Sequence, residues 1–186
     1  MSTFEFLSVL FSVILGLALT QILQGFRALM LARSRVVVYW PALIWAALMI
    51  LVLAQAWWGM FGMRTFAQWT FGMYAIVIFQ ITLMYLIAGL AIADIPAEGV
   101  FDMREAYFAH RQWFFGLFAL TVATTFAKDF ITIGRINLGG NAYFLVFFFA
   151  LAVIAAVTSS RWFHWILAPF SVVTVVVYTA LLSFRL

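Results

Sequence analysis

Apolar residues in this chain fall in long unbroken runs, separated by short breaks that hold most of the polar residues, glycines and prolines. The first run extends from Phe4 to Gly25. Five more follow, from about Val37 to Met60, Phe71 to Ala93, Trp113 to Ile133, Ala142 to Thr158 and Trp162 to Phe184. A helix needs roughly 20 apolar residues to cross the hydrocarbon core of a bilayer, and each run approaches or exceeds that length. Strands of a membrane β-barrel would instead alternate apolar and polar residues. The pattern predicts an all-α polytopic integral membrane protein with six transmembrane helices in a single domain spanning residues 1–186.

The breaks support these boundaries. Trp40-Pro41 opens the second run, where proline is tolerated because a first-turn N–H has no helical partner. Trp57 and Trp58 close the same run, as expected of residues that favour the membrane–water interface. The longest polar stretch runs from Asp94 to Gln112. Pro96 and Gly99 interrupt helix there, and Asp102-Met103-Arg104-Glu105 has the spacing of a capping box. A short juxtamembrane helical turn is therefore expected from Met103 to Gln112, before the fourth span.

Within the first run, Ser8, Ser12, Gly16, Thr20 and Gln24 recur at every fourth position. Residues four apart are neighbours on a helix, so the five form one slanting seam. Lipid tails offer nothing to a hydroxyl or an amide. The seam is expected at the centre of the assembly, either as a close helix contact or as the lining of a polar path. Gln80, near the middle of the third run, is the other candidate for that path.

Composition restricts the alternatives. Hydrophobic residues make up 68% and charged residues 9% of the chain, whereas a soluble domain typically carries about 25% charged residues. With no cysteine, disulfides, thiolate metal sites and thiol nucleophiles are excluded. The net charge of +4 is spread thinly, and its densest group, Arg27, Arg33 and Arg35, reads as a topology signal rather than a nucleic-acid surface. The first run has no basic segment before it and is too long for a signal-peptide core, so it is expected to be retained.

Six spans place both termini on one side. Arg27, Arg33, Arg35, Arg104, Arg111 and Arg161 then lie on the opposite side, against Arg64, Lys128, Arg135 and Arg185 on the terminal side. The positive-inside rule puts the termini outside, in a bacterial inner membrane.

Alternating span direction also matches depths. Glu5, Gln55, Lys128 and Asp129 fall at similar depth on the terminal side and are expected to form a polar cluster in which Glu5 faces Lys128. The competing reading has each charge snorkelling separately to the headgroups.

Other combinations carry less. Glu105 and His110 are separated by about 140° around a helix and share no face. His110 and His164 could supply two axial haem ligands only if both turned into the bundle. Met60, Met63 and Met73 offer thioethers for copper without a supporting histidine. No convincing acid, base or nucleophile set is present, so no catalytic residue, metal ligand or cofactor is assigned, and an enzyme is not the leading expectation.

Tyr39-Trp40-Pro41, the stretch Tyr107-x-x-x-Arg111-x-Trp113-Phe114-Phe115-Gly116, and the start Phe4-x-Phe6-Leu7-Ser8 together resemble small prokaryotic six-helix membrane proteins. That resemblance implies the helix count and no activity. Phe11-Ser12 is also similar to the first-helix Phe-Ser-Asp of the bacterial relatives of the lysosomal potassium channel, where that helix lines the pore of an oligomer; Val13 stands here in place of the Asp. The resulting expectation is a small channel or transporter-like homo-oligomer in the lipid bilayer. The alternative is a non-conducting assembly, sensor or anchor module with a membrane-protein partner. Neither involves nucleic acid.

Overall fold

A computed structural model describes residues 2–66, 68–133 and 140–182. Six α-helices account for most of them: α1 (Thr3–Leu31), α2 (Trp40–Met60), α3 (Phe71–Ala91), α4 (Met103–Ile133), α5 (Gly140–Val157) and α6 (Arg161–Leu182). Five helical stretches are long and apolar enough to cross a membrane. The fifth helix is apolar but shorter, its qualifying stretch being Ala142–Val157. Arg135 and Arg185 from the charge count, and the expected end of the last span at Phe184, lie outside the described residues.

Local chemistry sets the helix starts. Ser2 caps α1 by accepting the Glu5 N–H at 3.2 Å, while the Glu5 carboxylate accepts the Ser2 N–H at 2.7 Å. The Thr70 side chain caps α3 through the Met73 N–H. Asp102 Oδ1 accepts from the N–H groups of Arg104 and Glu105 at 2.8 and 3.3 Å, so the helix beginning at Met103 follows the spacing. Two boundaries differ from expectation. α1 runs on through Arg27 to Leu31, so Arg27 lies on a helix and not in a loop. The expected juxtamembrane turn is the opening of one continuous helix of 31 residues, because nothing between Met103 and Trp113 breaks it.

The connections after α1 and α3 are tied together. Strand β1 (Val36–Val37) pairs in parallel with β2 (Phe101–Asp102). The Arg35 guanidinium donates to the Pro96 and Gly99 carbonyls. Gly99 supplies the positive φ, +86°, that this turn requires.

Neighbouring helices do not follow chain order. α1 packs on α3, α3 on α4, α4 on α5, α5 on α6, α6 on α2, and α2 back on α1. The six thus close a ring, and α2 also touches α3 and α4. The apolar interior is built from Phe11, Leu15, Ala18 and Ile22 of α1, Trp45 and Met49 of α2, Val77, Ile81 and Ile87 of α3, Phe115 of α4, and Leu167 and Ala168 of α6. The outer face is apolar as well, with Leu17, Phe79, Val146, Ile154, Ile166 and Val173 all exposed. Soluble monomers rarely expose so much apolar surface, which is consistent with a surface that meets acyl chains.

Candidate functional site

A half-open cavity of about 220 Å³ lies between α2, α3, α4, α5 and α6. Its walls come from the second half of α2, the middle of α3 and α4, the start of α5 and the end of α6. Most of the lining is apolar, including Met49, Met84, Phe118 and Phe148. Into it project Gln55, Gln80, Thr121, Thr125 and Tyr178.

Helical spacing explains how these polar groups converge. Thr121 and Thr125 are one turn apart on α4 and share a face. Thr121 donates its hydroxyl to the Leu117 carbonyl at 2.9 Å, and Thr125 donates to the Thr121 carbonyl at 3.3 Å. The Gln80 amide, on buried α3 surface, donates to the Thr125 hydroxyl at 2.9 Å. This side-chain bridge joins α3 to α4 at the cavity wall. The Tyr178 ring is held by Phe144 and Phe148 of α5, with centroids 5.5 and 6.1 Å away. Lys128 and Asp129 follow one turn beyond Thr125 on α4. The cavity therefore presents amides, hydroxyls and a phenol. It can hydrogen-bond a small polar or amphipathic molecule from several directions.

The expected residues divide between two places. Gln80 and Gln55 line the cavity, and Lys128 and Asp129 come one turn after Thr125, which also lines it. The Glu5 carboxylate accepts the Ser2 N–H at the start of its own helix, and α1 packs chiefly on α3. Matching depths along the sequence does not fix the angular order of the helices.

The seam is not at the centre of the chain's own bundle. Gly16, Thr20 and Gln24 are exposed, Ser8 and Ser12 are half-buried, and the buried face of α1 is Phe11, Leu15, Ala18, Ile22 and Leu29. The reason is local. Ser8, Ser12 and Thr20 donate their hydroxyls to the carbonyls of Glu5, Ser8 and Gly16 at 2.9, 2.7 and 2.8 Å. A hydroxyl bonded back to its own helix needs no partner from another. Gln21, one position from the seam, is the residue of this region that crosses between helices, donating to the Tyr85 hydroxyl at 3.0 Å.

A second polar constellation was not anticipated. His164 is fully buried. Its Nε2 lies 2.9 Å from the Thr158 carbonyl and its Nδ1 lies 2.8 Å from the Tyr107 hydroxyl. A carbonyl can only accept, so Nε2 carries the proton; Nδ1 of the neutral ring then accepts the Tyr107 O–H. The Tyr39 ring packs on Tyr107 at 5.2 Å. His110, by contrast, is exposed, so the two histidines form no axial pair. Among the described residues no three His, Asp or Glu side chains converge as a metal site. Compared with protein families, curated proteins and solved structures, the chain matches none.

Proposed function

We propose that this is a six-span integral membrane protein of the channel or transporter-like class, whose solute path runs through the cavity within the helix ring. The observation that carries this reading is the convergence of Gln55, Gln80, Thr121, Thr125 and Tyr178 on one cavity between the helices. Polar side chains at membrane depth are costly and normally face a bundle interior or a water-filled path. Amides and hydroxyls can replace water around a solute without fixing its charge. Five helices of sufficient length support insertion. The fifth spans with less apolar length, which local thinning of the bilayer or burial against neighbours accommodates. On this reading the termini face outward from a bacterial inner membrane.

The outward seam favours a second role for α1. An exposed row of small residues lets a second helix approach closely, so α1 would join copies of the chain or hold a membrane partner. This also supports the alternative of a non-conducting assembly, sensor or anchor module.

Purified protein in liposomes separates the two. The proposed function requires flux of a small solute, screened across cations, anions and neutral polar compounds, above that of empty vesicles. It also requires at least a tenfold loss in Gln80→Leu, Thr125→Val protein. Flux at the empty-vesicle level for every solute, together with cross-linking through position 16 or 20, selects the non-conducting module.

A further inference from the structure

At the end of the bundle where α4 and α6 begin, a surface groove lies between these two helices. Arg104, Glu105, Phe108, Arg111, Ser159 and Arg161 line it. Three guanidinium groups therefore share one groove with one carboxylate. Arg104 is partly answered by Asp102, at 3.5 Å. Among the described residues, neither Arg111 nor Arg161 has a carboxylate within ion-pair distance.

Arg111 is held in a defined pose. Its Nη1 donates to the Phe108 carbonyl at 2.9 Å and its Nη2 donates to the Ser159 hydroxyl at 2.8 Å. These bonds fix the plane of the guanidinium and use one N–H of each Nη. A second N–H on each remains in the chemistry of the group, in the fork geometry that matches phosphate oxygens. Arg161 opens α6, whose N-terminal dipole also favours negative charge. Trp162, the next residue, is 81% exposed; an indole so placed belongs at the headgroup level of a bilayer. The groove is thus basic, preoriented at one arginine, and adjacent to an exposed tryptophan of the kind that favours the headgroup level.

We propose that this groove binds a phosphate-bearing anion, presented by the headgroup of an acidic phospholipid or as free phosphate. Basic pockets between transmembrane helices are the sequence-encoded form of such recognition. The inference rests on the bilayer placement but on no transported solute, so a failed flux assay leaves it standing.

Native mass spectrometry of the detergent-purified full chain tests it, with cardiolipin, phosphatidylcholine and inorganic phosphate titrated separately. Wild-type protein is expected to bind cardiolipin more tightly than phosphatidylcholine. Arg161→Gln, at an exposed position that leaves packing intact, should weaken cardiolipin about fivefold, and adding Arg111→Gln should weaken it further. Arg27→Gln, Arg33→Gln protein, altered on the same side but outside the groove, should bind as wild type. Displacement of cardiolipin by inorganic phosphate identifies the free anion as the ligand; retention identifies the headgroup. Equal binding of cardiolipin and phosphatidylcholine with no phosphate bound overturns the proposal, as does an equal loss in the control variant.

Discussion

His164 is the most constrained polar residue among those described. It enters α6 three positions after Arg161 and is enclosed by Tyr107, Phe108, Phe115 and Phe163, whose ring centroids lie 5.3 to 5.7 Å away. Its Nε2–H serves the Thr158 carbonyl just past the end of α5, one of the carbonyls that a helix terminus leaves without an amide. Its Nδ1 holds Tyr107 of α4. One imidazole thereby links three helices. Tyr107→Phe leaves Nδ1 buried without a donor and is expected to destabilise the protein by about 1–3 kcal/mol. Adding His164→Phe to that variant removes the stranded acceptor, so the double variant should lose less than the two single losses summed. Thermal unfolding in detergent measures both; a Tyr107→Phe protein that melts with wild type contradicts the assignment. The sequence displayed a lone histidine near the start of an apolar run but not its partners, because Tyr107 is 57 residues away and no spacing rule connects them.

At the scale of elements, α1 has two faces with opposite demands, and its glycines report on each. A Cβ at Gly25 would sit 2.8 Å from Ile92 Cβ, whereas a Cβ at Gly16 would meet nothing within 4 Å. Gly25→Ala must push α1 away from the end of α3 and should cost about 1–3 kcal/mol as overpacking. Gly16→Ala should leave the folded monomer as stable or slightly more so, by up to about 1 kcal/mol from helix propensity. The same thermal measurement checks the pair, and equal stabilities would contradict the close α1–α3 approach. The helices themselves were legible in the sequence because apolar run length, Pro41 and the Asp102 cap are local signals, whereas the Thr70 cap emerged only from the structure. The direction of the α1 seam was not. Fourfold spacing shows that Ser8, Ser12, Gly16, Thr20 and Gln24 share a face, but the hydroxyls satisfy themselves within the helix, so spacing alone cannot say whether that face turns inward.

For the whole molecule, the ring order decides which polar residues meet. Gln55, Gln80 and Tyr178 come from helices that are scattered along the chain yet border one cavity. Gln80 was recognisable as a mid-depth amide; its partner Thr125 and the contribution of Tyr178 depend on which helices are adjacent, information that hydropathy does not contain. The central claim is that this cavity is an aqueous path and that the surface outside the ring faces lipid. The chain has no cysteine, so single-cysteine labelling reads that distinction directly. Gln80→Cys, Thr125→Cys and Phe79→Cys, the last at a position 46% exposed on the outer face of α3, can be treated in membranes with a water-soluble thiosulfonate reagent. The account predicts modification at positions 80 and 125 and protection at 79; labelling at 79 with positions 80 and 125 inert would contradict it.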